Sequence, residues 1–270
     1  LLKNFFVSIA LSLASLGRES RRSCIFYIFR KTTIKLKAQT DLFGKALKTY
    51  FLNPEKQNIT TWTNLTNEDD VPLSYFFRDF EKMPSIEKKA LEIASGKILD
   101  VGCGTGSHSL YLQNLRNQNV TALDISEGAV YVTGKRGVKK IKHISIWDFE
   151  ESGFDTVLLL MNGMGIGKTI VELHKLLKHI KKILAPEGKI LVDSSDLIYL
   201  FDKEDILLWK GDEKYYGEVD FGIRFEEKSD EFPWLYIDPK TLEEVSKSCE
   251  FQFKIIERGE NFDFLAQLSI

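Results

Sequence analysis

The chain has 270 residues, 37 basic against 39 acidic side chains and a formal charge of −2. Its 43% hydrophobic and 28% charged content excludes wholesale disorder, and the near-zero charge argues against a protein that lives on nucleic acid. Cys24, Cys103 and Cys249 are too far apart and too few for a disulfide framework or a CxxC metal site, so the composition points to a reduced, cytoplasmic setting.

Residues 1–38 form the first unit, an N-terminal extension. Its apolar run NFFVSIALSLASL (4–16), followed by Arg18, Arg21 and Arg22, looks like a signal-peptide core and is too short to span a bilayer. A frayed or mis-assigned tail and an ordered part of the fold are the other two readings. The second unit, 39–96, is expected to be a helical cap. It contains a helix over 41–52 ended by Asn53-Pro54, a polar connection, and two helices at 72–82 and 85–95 split by Met83-Pro84.

The third unit, 97–270, alternates strand and helix. KILDV (97–101), NVTALDI (119–125), KHISIWD (142–148), FDTVLLLMN (154–162) and GKILVDSS (188–195) are expected strands. Helices are expected over 106–116, from Ser126, and over 168–184, where Ile170, Leu173, Leu177, Ile180 and Leu184 share a face. An antiparallel insert is expected within 197–238. A helix from Pro239 and a hairpin of 251–257 with 263–270 close the chain. This pattern predicts an α/β protein: a doubly wound, seven-stranded, mostly parallel sheet with an antiparallel last strand, a helical cap and a β insert after the fifth strand.

The chemistry is concentrated in ILDVGCGTGSHSLYL (98–112). A strand ends at Asp100, glycines follow at 102, 104 and 106, and a helix begins. Glycines allow a tight turn and bring backbone N–H groups against a ligand, while an acid just before the loop suits an ammonium group. Asp124 ends the second strand, where a carboxylate can accept both ribose hydroxyls. The spacing DxGxGxG departs from the GxGxxG of nicotinamide and flavin sites. In GMGIGKT (163–169), the first glycine is one residue too close to Gly-Lys-Thr for a P-loop.

On these residues the chain resembles the class I S-adenosylmethionine-dependent methyltransferases over roughly 85–270. The resemblance implies S-adenosyl-L-methionine (SAM) as cofactor and methyl transfer by in-line displacement. It implies Asp100 near the methionine amino group, with the backbone at Gly102, Cys103, Gly104 and Gly106 beneath the methionine part. Asp124 would hold the ribose, Ile125 would pack on adenine, and Asp148 would accept the adenine amino group. Trp147 would either flank the ring or join the core. Met161 and Asn162 would lie nearest the methyl group.

Candidate acceptor contacts are Tyr75, Arg78, His108, Tyr216 and Trp234. Arg78 suits a carboxylate, or is a surface residue beside Asp79 and Glu81. His108 either meets a ligand or makes a packing or helical hydrogen bond. Tyr215, Tyr216, Phe232 and Trp234 suit either a pocket wall or the insert's own core. No His/Cys/carboxylate pattern has metal spacing. The expected acceptor is a small molecule. Protein or RNA methylation, and SAM binding without catalysis, are the alternatives.

Overall fold

The computed structural model describes residues 41–55, 58–201 and 214–270. The extension 1–38 and part of the 197–238 insert therefore lie outside the described residues.

The first described element is α1 (Leu42–Leu52). Its N-cap Asp41 accepts the Gly44 N–H, and the other carboxylate oxygen accepts the Gly128 N–H at 2.9 Å. A hairpin follows, β1 (Asn58–Thr63) and β2 (Thr66–Pro72), where the sequence suggested only a polar connection. Next, 72–82 forms two 3₁₀ turns, Leu73–Phe77 and Phe80–Lys82, in place of the expected α-helix. The second expected cap helix is present as α2 (Ser85–Ile93).

The alternating region contains β3 (Lys97–Val101), α3 (Ser107–Asn114), β4 (Asn119–Asp124), α4 (Glu127–Lys135) and β5 (Ile141–His143). It continues with β6 (Phe154–Leu159), α5 (Ile170–Ile183) and β7 (Leu184–Ser195). After β8 (Glu218–Phe225) and β9 (Lys228–Leu235) come α6 (Pro239–Ser248), β10 (Gln252–Arg258) and β11 (Asp263–Ser269). The expected third strand is shorter than its sequence suggested, because 146–148 leaves the ladder as a 3₁₀ turn capped by the Ser145 hydroxyl.

Seven strands lie in the order β10-β11-β7-β6-β3-β4-β5. β3 to β7 are parallel to one another, and β11 is antiparallel to both β7 and β10. Alternate residues feed two cores. Leu99, Val157, Ile190 and Val192 pack on α5 and α6, whereas Ile98, Leu158, Leu191 and Leu265 pack on α2. The chain runs outward from β3 through β4 to β5 and returns to β6 on β3's other side. That reversal opens a crevice at the carboxyl ends of β3 and β6, the switch point of a doubly wound sheet.

The second sheet, β2-β1-β8-β9, is antiparallel and joins the N-terminal hairpin to the insert through β1 and β8. The hairpin within the expected cap and the strands of the expected insert are thus one layer, whereas α2, also expected in the cap, packs on the seven-stranded sheet. Ile59, Ile223 and Phe225 share an apolar cluster with Leu42 and Leu47 of α1 and Ala129 and Val132 of α4. α1 meets α4 closely enough that a Cβ on Gly128 would overlap the Gly44 backbone.

Candidate active site

The glycine loop turns where only glycine turns easily: φ is +71° at Gly102, +56° at Gly104 and +79° at Gly106. The amides of Gly102 and Cys103 donate to the Leu123 carbonyl, which seats the loop against the end of β4. A side chain at Gly106 would press on Thr133 and Val138, so this glycine serves packing. At Gly104 a Cβ would meet no atom within 4 Å, and at Gly102 the nearest is Ile166 Cδ1 at 3.9 Å. These two glycines border open space.

Asp124 lies beside that space. One carboxylate oxygen accepts the Gly104 N–H and the other accepts the Ser126 N–H, both at 2.9 Å. Burial raises its pKa, against the pull of these two amides. Each oxygen retains lone-pair capacity for a further donor. Asp100 is buried and accepts a hydrogen bond from the Ser109 hydroxyl at 2.6 Å. The Cys103 thiol is buried, and burial holds its pKa well above the usual value.

Ile125 is 62% exposed directly after Asp124. Trp147 and Asp148 lie on the 146–148 turn, and both are exposed. The Trp147 ring sits 6.4 Å from His179. Trp147 is therefore not a core residue, the alternative that its place in an expected strand suggested.

At the end of β6, Met161 and Asn162 are both left-handed, each with φ of +58°. That conformation costs a non-glycine residue about 1–3 kcal/mol. It turns the Asn162 N–H onto the Asp193 carboxylate at the end of β7, 2.7 Å away. The Asn162 side chain is engaged as well, accepting the Ser195 N–H at 3.0 Å. The following turn, Gly163–Gly167, is covered by the Trp234 ring, which a Cβ on Gly165 would overlap. This near-P-loop stretch is a packed turn and not an open phosphate cradle.

Arg78 is 6% exposed, which corrects its reading as a surface residue. Its guanidinium stacks 3.8 Å from the Tyr75 ring, ion-pairs with Glu87, and lies 3.6 Å from Met161 Sδ. Its Nε is buried with no hydrogen-bond partner among the described residues. The second Glu87 oxygen is 2.7 Å from His108 Nε2, so His108 bonds across to α2 and not within its own helix. Burial opposes charge on both members of this pair. The mutual hydrogen bond outweighs it, raising the His108 pKa and lowering that of Glu87.

A methyltransferase-domain family model matches residues 98–188, the stretch from β3 to β7 that carries the glycine loop, Asp124 and the end of β6. The chain is 38% identical to a SAM-dependent methyltransferase from Bacteroides fragilis solved with S-adenosyl-L-homocysteine. That match covers 87% of this chain and 97% of the other, with a TM-score of 0.78. The chain belongs to the SAM-dependent methyltransferases.

Its fold is shared with more distant structures. One is a SAM-dependent methyltransferase from Clostridium acetobutylicum, 16% identical over 72% of this chain and 92% of that one, with a TM-score of 0.50. Another is the DhpI–SAH complex, 15% identical over 85% and 97%, with a TM-score of 0.51. No curated protein matches the sequence. The cofactor of this methyltransferase is SAM, and the open side of Gly102 and Gly104 fits a ligand laid along the loop backbone.

The two remaining candidates belong to the β2-β1-β8-β9 sheet, the upper sheet, and to the segment leading into it. Tyr216 donates to Asp196 at 2.6 Å and packs at a tilt against Tyr215, which donates to Asp238 at 2.7 Å. Trp234 leaves β9 toward the 163–167 turn. Among the described residues no His, Cys, Asp or Glu group could hold a metal, and no helix is long and apolar enough to cross a membrane.

Two charged residues of this methyltransferase escaped the sequence reading. Glu87 sits among Ile86, Ala90 and Leu91 on the buried stripe of α2, and an acid on an apolar stripe was the available signal. Asp193 ends KILVD much as Asp100 ends KILD, and that parallel was the signal for it.

Proposed function

We propose that SAM lies across the carboxyl ends of β3, β4 and β6, with the backbone of Gly102 to Gly106 under its methionine part and Asp100 toward the amino group. In this reading Asp124 accepts the ribose hydroxyls, Ile125 and Trp147 flank adenine, and Asp148 accepts its amino group. Met161 and Asn162 border the methyl group, and the unspent Arg78 Nε suits the methionine carboxylate. SAM supplies an electrophilic methyl group on a sulfonium. The protein's share of the work is orientation and exclusion of water.

The observation that carries this reading is the pair of left-handed glycines opening onto free space beside the Asp124 carboxylate. The acceptor is a small molecule bound under the upper sheet, next to Tyr75, Tyr216 and Trp234. Support comes from the balanced charge and from aromatic side chains on both the 73–77 turn and β9, which suit a compact, partly apolar ligand. Absence of metal ligation and a cytoplasmic setting belong to the same reading.

The test is calorimetric titration with SAM, S-adenosylhomocysteine, NADH and ATP. Binding of the first two only, with SAM affinity at least tenfold weaker in a folded Asp124→Asn variant, is the expected result. Unchanged affinity in that variant would remove Asp124 from the site.

A further inference from the structure

We propose that Asp193 is the carboxylate that answers the charge on the cofactor's sulfur, shedding a proton when SAM binds and accepting the acceptor's proton as the methyl group moves. The inference rests on the cofactor placement proposed above and goes beyond it by assigning the proton.

Other acids around the strand ends have polar partners that occupy them. Glu87 is held between Arg78 and His108, and Asp100 by Ser109. Asp196 accepts from Tyr216 and the Ile198 amide, while Asp263 accepts from the Asn261 amide in the hairpin turn. Asp124, held by the Gly104 and Ser126 amides, is given to the ribose in the placement proposed above. Asp193 is set apart by its position: it accepts the Asn162 N–H at 2.7 Å at the end of β6, no ion pair reaches it among the described residues, and it retains partial exposure. Two strained residues at the end of β6 are turned toward it, so the carboxylate is aimed at the segment assigned to the methyl group.

The groups that face Asp193 make its charge conditional. Burial, then the Glu87 charge from α2, push its pKa up to about 7; the Asn162 and Met161 amides and His108 of α3 pull the other way. Tyr75, on the 73–77 turn, feels both Asp193 and Asp263, and burial raises its own pKa to about 12, so it stays neutral. A half-protonated acid responds strongly to a new cation: one within about 4–6 Å strengthens a carboxylic acid by about 10- to 1000-fold. A sulfonium would therefore discharge the proton, and a neutral sulfide would leave the acid weak again.

The step balances with an acceptor X–H, an amine, hydroxyl or thiol. The lone pair of X forms the bond to the methyl carbon, the carbon–sulfur pair stays on sulfur, and the proton of X passes to Asp193. A sulfonium, a carboxylate and X–H become a sulfide, a carboxylic acid and a methylated product.

Proton release on binding tests this without an acceptor. SAM and S-adenosylhomocysteine are titrated at pH 7 into the full chain and its Asp193→Asn variant, each in two buffers of different ionisation enthalpy. The cofactor's own amino group titrates alike in both proteins and cancels in the difference between them. For SAM, the wild type is expected to release roughly half a proton more than the variant. For S-adenosylhomocysteine the difference is expected to be near zero. No difference for SAM, or an equal difference for both ligands, overturns the proposal. Asp193→Ser is the second uncharged variant should Asn fail to fold. If neither ligand gives heat with wild type, the cofactor placement has failed and this inference falls with it. If both bind but no proton moves, Asp193 alone is wrong.

Discussion

Glu87 shows how one buried side chain can organise a site. It satisfies Arg78 with one oxygen and His108 with the other, in surroundings that exclude water. Removing one partner of such a pair leaves an uncompensated buried charge, at about 3–5 kcal/mol. Glu87→Gln should therefore lower Tm by about 6–20 °C in a protein of this size, which thermal unfolding followed by circular dichroism would measure.

The pH dependence has a definite sign. His108 has a raised folded pKa, so its contribution is complete below the unfolded value of about 6.5 and fades as pH rises through the folded one. Glu87 has a lowered pKa, so its contribution is complete above about 4.5 and fades as pH falls through its folded value. The advantage of wild type over His108→Gln should thus be largest in mildly acidic solution and shrink toward alkaline pH. An advantage that grew with pH would contradict the charge assignment. Asp100, Asp124 and the glycines could be singled out as candidates because local spacing marks them. Glu87 and Asp193 were not, because the burial and neighbours that give them meaning come from α2 and β7, which are distant in sequence from the loop.

Among the elements, the upper sheet was the least legible. β2 is an edge strand with mostly polar, exposed side chains, and β1 finds its second partner in β8, more than 150 residues later. No local pattern reveals such a pairing. The misread 72–82 helix has a different cause. Ser107, Thr105 and Arg136 donate to the Phe76 and Phe77 carbonyls, drawing those acceptors away from a helical ladder. The aromatic rings meanwhile enter the cluster below the sheet. Helical spacing was present in the sequence, but tertiary bonds claimed the backbone.

The Gly163–Gly167 turn makes the reverse point, since its glycines serve packing, Gly165 against the Trp234 ring, and not a phosphate. Gly165→Ala should destabilise by about 1–3 kcal/mol through overpacking. The same change in a Trp234→Ala background should cost much less. Denaturant titrations of the four proteins close this cycle, and additive costs would mean the ring does not rest on the glycine.

At the scale of the molecule, the question is whether the two sheets behave as one body. Among the described residues, four kinds of tie between them stand out. The Trp234 ring lies on the turn after β6, and the Glu218 carboxylate accepts the Ile170 N–H at the start of α5, where a negative charge also suits the helix end. Arg136, from α4, reaches the Thr105 carbonyl at 2.8 Å and the Phe77 carbonyl at 3.3 Å, joining the glycine loop to the 73–77 turn. The fourth tie is the apolar cluster of the upper sheet with α1 and α4. Together they bury the faces that either sheet would expose alone, so unfolding should be a single transition.

A Trp147→Phe, Trp209→Phe variant separates the probes. Its remaining tryptophans, Trp62 and Trp234, belong to the upper sheet, whereas far-ultraviolet circular dichroism is dominated by the helices around the large sheet. Fluorescence and dichroism melts should coincide. A ligand that binds only the folded state at 100 times its Kd adds about 2.7 kcal/mol. S-adenosylhomocysteine at that excess should therefore move both curves upward together by about 5–11 °C, and NADH should move neither. An earlier fluorescence transition, insensitive to S-adenosylhomocysteine, would show an upper layer that opens independently of the cofactor site. The acceptor would then enter by that opening, because the layer that closes over the strand ends would be the less stable of the two.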